Sequence, residues 1–315
     1  MKNAVKWLLF LGLFVFILGL FIYWLAYWEP PVEQDPVNAQ GPDKVTLSKG
    51  WAILSGGRKG KVVFAQPPHL YVLDLEKGTM KQVPRVVVDG AKGRRNRGKS
   101  PRPSWAPDGK QFVYRYNSHV FVCNEEGKRK AILNELMDCS NETRWSWRRE
   151  NGEDWLVGPS KDRNVIMVKV DDPTVVKTPY NGGDVDKHCE ITGEGHVVYD
   201  NGDDIFVTPA YSGSKGIKIS KGQSCRPCAS PENRVAWLPV PHVKYEVHDA
   251  VTGRELEPLE APKREEIYRL NWSNLPDFAV HMYGSRGNTR MHVRKVSTGE
   301  ALFIGYGWDP DLWVE

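Results

Sequence analysis

Two landmarks that recur in step and one long apolar run predict the architecture: an all-β chain, a six-bladed β-propeller of four-stranded antiparallel blades, preceded by one transmembrane helix. The landmarks are a polar hairpin, typified by "SWAPDGKQFVY", and a Gly or Asp-Pro turn after a strand-like run. Each returns about every 40–50 residues, the interval of a propeller blade. The apolar run, "WLLFLGLFVFILGLFIYWLAYW", fills residues 7–28 without a charge.

At about 1.5 Å rise per residue that run is long enough to span a hydrocarbon core of about 30 Å. Lys2 and Lys6 precede it and no acid occurs before Glu29, so the positive-inside rule keeps the N-terminus in the cytoplasm and exports the rest. Trp24, Tyr27 and Trp28 fall where an interfacial aromatic belt forms. The competing reading is a cleaved signal peptide. Against it, the run exceeds the usual apolar core of that element, and Trp24 stands where a small residue before Ala26 is needed. The expected division is a signal anchor over residues 1–28, a Pro-rich linker over 29–44 and a propeller over 45–315. The linker "EPPVEQDPVNAQGPDK" reads as extended and solvated.

The hairpin landmark appears as "SWAPDGKQFVY", "SWRRENGEDWLV", "EITGEGHVVY", "CASPENRVAW" and "NWSNLPDFAV", with a weaker first copy, "SGGRKGKVVF". The second landmark follows each copy, with turn residues at Gly78, Gly127, Asp172, Gly213, Gly253 and Gly299. In the best copy, Pro107-Asp108-Gly109 is turn chemistry. Phe112, Tyr114 and Tyr116 then alternate with Val113 and Arg115 at the period of a strand. Asn117-Ser118 breaks the strand and a second one follows. Trp105, Trp147, Cys228 and Trp272 occupy one position of the repeat and are expected to pack between blades as anchors. Twelve Trp and twelve Tyr suit such sheet-on-sheet packing. After residue 28 only "AILNELMD", residues 131–138, offers a short helix. One such repeat cannot bury both of its faces, so repeats must stack, and a ring closes the stack without long edges. Seven blades is the competing count.

These repeats resemble the TolB-type propeller repeat, with its Ser-Pro-Asp-Gly-Lys hairpin and apolar strand. "SWAPDGKQFVY", "CASPENRVAWL", "AVTGREL" and "VSTGEAL" carry the resemblance, which covers roughly residues 50–307. It implies an interaction module outside the inner membrane that binds partners near the central channel. Similar propellers precede serine-peptidase domains; because the chain ends at "GYGWDPDLWVE", no fused hydrolase is expected here.

The net charge of +4 includes the two anchor lysines, so the body carries no general nucleic-acid footprint. One loop, "KGRRNRGKSPR", gathers Lys92, Arg94, Arg95, Arg97, Lys99 and Arg102 without an acid. It is either a solvated loop or a clamp for acidic glycan, lipid headgroups or an acidic protein. Five cysteines leave at least one unpaired. Cys189, Cys225 and Cys228 form either a disulfide or reduced structural thiols, and metal or redox use of Cys225 and Cys228 is a third reading. "KHCE" and "SCRPC" echo the zinc-deaminase signature, but they begin strands rather than helices and Ser224 replaces the proline. The acidic loop with Asp184, Asp186, His188, Glu190 and His196 lacks EF-hand spacing. No nucleophile elbow, HExxH or phosphate loop occurs. The expectation is therefore a periplasmic-side scaffold with a protein partner, without cofactor, catalytic residue or metal. Binding of anionic glycan or lipid, and a glycan lyase or hydrolase site at the channel mouth, are the alternatives.

Overall fold

The computed structural model describes residues 41–88, 101–140, 143–260, 267–285 and 288–315. Five of the six residues singled out in the basic loop, and the apolar run at 7–28, lie outside them. Among the described residues no helix is long and apolar enough to cross a membrane.

The first element among the described residues is helix α1 (Lys44–Ser55), nearly all of it inside the segment that the sequence reading assigned to the propeller without a helix. Asp43 caps it, accepting from the Val45 and Thr46 N–H groups at 3.0 Å each. Gly56 closes it in the left-handed region, φ 69°. Leu47, Trp51 and Leu54 make a short buried stripe, and the Trp51 ring meets Phe278 at 5.7 Å. With three apolar contacts in twelve residues, and Gly50 among them, the helix depends on its caps and on docking more than on its own periodicity. The helix expected at 131–138 is not formed. Residues Arg129–Ile132 are a strand, and a turn follows in which Met137 N–H donates to Asn134 O.

Twenty-four strands follow among the described residues. β1 (Gly60–Gln66), β2 (His69–Asp74) and β3 (Thr79–Val87) precede β4 (Ser104–Trp105), β5 (Gln111–Tyr116), β6 (His119–Asn124) and β7 (Arg129–Ile132). Next come β8 (Ser146–Glu150), β9 (Glu153–Pro159), β10 (Val165–Lys169) and β11 (Val176–Tyr180), then β12 (Cys189–Ile191), β13 (His196–Asn201), β14 (Asp204–Pro209) and β15 (Ile217–Lys218). The last are β16 (Ser224–Ala229), β17 (Arg234–Pro239), β18 (Lys244–Asp249), β19 (Leu259–Glu260), β20 (Ile267–Trp272), β21 (Phe278–Ser285), β22 (Asn288–Lys295), β23 (Ala301–Tyr306) and β24 (Trp308–Val314).

They form six four-stranded antiparallel sheets, five of them consecutive in sequence. The sixth is β24-β1-β2-β3, so the last strand of the chain completes the first sheet. Gly60 pairs with Val314 and Val62 with Leu312 across that seam. This closure leaves no sheet edge open between the two ends of the propeller. It also removes the seven-blade count.

The two sequence landmarks map onto two different hairpins. The first joins the inner strand of a sheet to the second. The other joins the third strand to the outer one, and Gly78, Gly127, Gly213, Gly253 and Gly299 take φ between 59° and 77° there. Asn117 and Ser118 both have positive φ, the geometry of a tight two-residue hairpin between β5 and β6. Apolar side chains on facing sheets interlock. Trp105, Phe112 and Tyr114 pack with Val63, Leu70 and Val72 between the first and second sheets. Cys228, Leu238 and Tyr245 meet Leu270, Trp272 and Tyr283 between the fifth and sixth. At the third sheet Trp145, just before β8, and Trp155 on β9 are buried, while Trp147, the expected anchor, is half-buried. Each such large buried side chain contributes roughly 1.5–3 kcal/mol.

Candidate functional site at the central channel

The first strand of each sheet by position lines the axis: β4, β8, β12, β16, β20 and β24. Side chains alternate along a strand, so every second residue of these six points to a common channel. Residues as far apart in sequence as Arg102 and Asp309 become neighbours there.

At the end where the inner strands lead into the first hairpins lies an open cavity of about 310 Å³. All six inner strands contribute, through residues including Trp105, Trp147, Glu190, Ser230, Trp272 and Asp311. Gly193 keeps the wall tight: its N–H donates to Ser230 O and Glu232 O, and a Cβ there would stand 1.7 Å from Pro231 O. On the other side Trp313 donates its indole N–H to Pro107 O at 3.0 Å.

The floor of the cavity is a closed ion network. The Arg144 guanidinium donates to Glu190 and, at 3.0 Å, to Asp311 Oδ1. Glu190 Oε2 accepts from Ala229 N–H at 2.7 Å and Asp311 Oδ2 from Trp105 N–H at 2.7 Å. Burial opposes the charge on Arg144, but the two carboxylates outweigh it and raise its pKa. Burial pushes Asp311 up to about 6 against the pull of Arg144. One cation thus holds two acids, and every carboxylate oxygen has a partner.

Two to four residues earlier on the inner strands the composition inverts. Arg102, Arg226 and Arg269 cluster with Asp309 and His188. Arg269 donates to Asp309 Oδ1 at 2.8 Å. Arg226, with φ 56°, donates to Tyr268 O. Arg102 Nη1 lies 2.8 Å from His188 Nε2, and His188 Nδ1 lies 2.7 Å from Asp200 Oδ2. A guanidinium can only donate, so His188 accepts at Nε2 and carries its proton on Nδ1, toward Asp200. Burial, despite Asp200, lowers His188 to about 4 and keeps it neutral. Burial would raise Asp200, but His188 and the Lys187 and His188 N–H groups hold it below the ordinary carboxylate range.

Of the six basic-loop residues, only Arg102 lies among those described, and it belongs to the channel. The five thiols are free, with no bridge among Cys189, Cys225 and Cys228. Burial raises the pKa of all three, which suits inert thiols rather than reactive ones. Cys225 Sγ lies 3.6 Å from His242 Nε2. His188 and Glu190, set aside as a deaminase echo, turn inward to the two charge layers. Arg144, Arg226, Arg269, Asp309 and Asp311 carry no motif and were not singled out. The signal was available: an arginine stands three positions before Trp105, Trp147 and Trp272, at Arg102, Arg144 and Arg269.

No protein-family model matches the chain, and no curated protein matches it. Solved structures do. A chain of a nidogen/laminin complex superposes with TM-score 0.56 at 11% identity, over 81% of this chain and 98% of that one. A putative TolB from Agrobacterium tumefaciens gives 0.55 at 12% identity, over 82% and 99%. TolB from Acinetobacter baumannii gives 0.51 at 15%, over 85% and 71%. The chain has a TolB-like six-bladed β-propeller fold. At these identities the likeness is one of fold.

Proposed function

We propose that this chain is a membrane-anchored, exported β-propeller that acts as a protein-interaction scaffold in the cell envelope. Residues 7–28 serve as the anchor, with the N-terminus in the cytoplasm and the propeller outside. The observation that carries the scaffold reading is the open cavity at the channel mouth, built from all six inner strands over a closed ion network. A rigid, ring-closed wall with aromatic and charged rim residues suits docking of a protein segment. Propellers of the same fold occur in a nidogen/laminin complex and in TolB, which is consistent with a protein partner.

A hydrolase at this mouth is the weaker reading. Its natural acid–base pair would be Glu190 and Asp311, and all four of their oxygens are already held by Arg144 or backbone N–H groups. Glycan or lipid binding through residues 92–102 remains the alternative partner class.

The test is capture from detergent-solubilised native membranes with the full chain, at low and moderate salt. The scaffold reading expects one defined protein at both salts from the wild type, and its loss with Arg149→Glu at the cavity rim. Recovery only of anionic glycan or lipid, released as salt rises, would contradict it. Protease added outside spheroplasts should digest exposed loops of the propeller; full protection would contradict the proposed topology.

A further inference from the structure

We propose that the channel end opposite the cavity is a binding site for a small oxyanion group, a phosphate or carboxylate, held by Arg102, Arg226 and Arg269. This goes beyond the scaffold reading and does not depend on it.

The argument begins with charge. Three guanidiniums converge here from the inner strands of the second, fifth and sixth sheets. Asp309 faces them directly and Asp200 acts only through the neutral His188 ring. Arg115 adds a further positive charge in range of Arg102. An excess charge in a low-dielectric channel is costly unless a counter-charge sits with it. Burial and the neighbouring Arg269, with Arg226 also in range, lower Arg102 to about 9, the response expected of a crowded cation.

Donors point the same way. A guanidinium has five N–H donors in a rigid fork. Arg226 has one acceptor among the described residues, the Tyr268 carbonyl. Arg102 has the His188 ring, and its buried Nε has no partner. Arg269 has Asp309. Spare fork donors from three blades match the planar or tetrahedral oxygens of a carboxylate or phosphate. Arg102, Arg226 and His188 are partly exposed, the His188 side chain at 12%, while Arg269 is buried.

The contrast with Arg144 excludes a generic explanation. That arginine is buried like Arg269 and also has an unpartnered Nε, yet two carboxylates neutralise it. A fold that needed only internal ion pairs could have balanced both layers alike.

The experiment is titration of the full-length protein in detergent with sodium phosphate, and separately with sodium malonate, against sodium chloride at matched ionic strength. Calorimetry reads binding and thermal unfolding reads stabilisation. Saturable binding of either anion, at about one per chain, supports the site. Phosphate alone assigns the phosphoryl group, malonate alone the carboxylate. Arg226→Gln should weaken binding at least about 10-fold, the loss expected for a charge-assisted fork. Arg226→Lys, which keeps the charge, covers the case in which the glutamine variant fails to fold, and should weaken it less. Arg254→Gln on the exposed outer surface should change nothing. No saturable binding of either anion by the folded wild type overturns the proposal, as does equal binding by a folded Arg226→Gln protein.

Discussion

The two charge layers of the channel use the same residue types to opposite ends. In the layer under the cavity, one arginine serves two acids, and backbone N–H groups take the remaining oxygens. In the layer at the far end, three arginines share fewer acids and keep unspent donors. The first is a strut that sets the spacing of the third, fourth and first sheets. The second is a surface waiting for a ligand. Burial alone does not separate structural from binding residues; the balance of cations and carboxylates does.

The largest effect that can break this comparison is loss of the strut. Arg144→Met leaves Glu190 and Asp311 buried without their cation, and should cost about 3–5 kcal/mol by urea unfolding. Arg226→Gln, on the same scale, should cost at most about 1 kcal/mol, because it removes one backbone contact and relieves crowding among cations. Equal losses would erase the distinction between the layers.

Acid should separate the layers next. His188 has a folded pKa of about 4 and His292 likewise, both pulled down by burial, and burial holds His281 well below its ordinary value. For each, the unfolded chain takes up its proton first. For His188 and His292 that stability is complete above about pH 6.5 and is lost as pH falls through about 4, on the order of 3 kcal/mol for a shift of this size, and His281 acts in the same direction. Asp311 behaves oppositely: its raised pKa favours the folded state as pH falls from about 6 toward 4. His188→Gln should therefore flatten the acid limb of the stability–pH curve, and Asp311→Asn should steepen it. If Asp311→Asn flattened it, the strut assignment would be wrong.

A smaller effect tests the ring seam that holds both layers. Gly109 has φ 66°, and a Cβ there would stand 2.4 Å from the Trp313 ring of β24. Gly109→Ala should cost roughly 2–3 kcal/mol from backbone strain and displaced packing. The smallest effect is at the seam's exposed edge, where Lys59 meets Glu315 at 2.8 Å in solvent. Lys59→Ala should change the unfolding midpoint little, and less still in high salt.

What the sequence disclosed follows from the same physics. Turn chemistry is local, so Pro107-Asp108-Gly109, the five glycine turns and the Asp172 turn mark six sheets in the sequence itself. The closing role of β24 was less visible: "WDPDLWV" reads as a strand but follows the last complete repeat, and only ring geometry brings it to β1. Helix α1 was missed because Asp43, its cap, sits in a Pro-rich stretch and its buried stripe is three residues long. The channel layers were missed for a different reason. Each strand contributes one or two charges, separated by a whole blade, and a lone charge in a strand reads as an exposed one. Arg102 illustrates the cost: it was grouped with its sequence neighbours at 92–99, whereas its partner is His188, 86 positions away.

The measurement that bears most directly on the scaffold claim is site-specific photocrosslinking in native membranes. The full-length chain would carry a photoreactive residue at Arg149 on the cavity rim or, as a control, at Thr252 on an outer hairpin. The account predicts an adduct with one defined protein from position 149 and none from 252. An adduct from 252 alone, or only glycan or lipid adducts from 149, would contradict it.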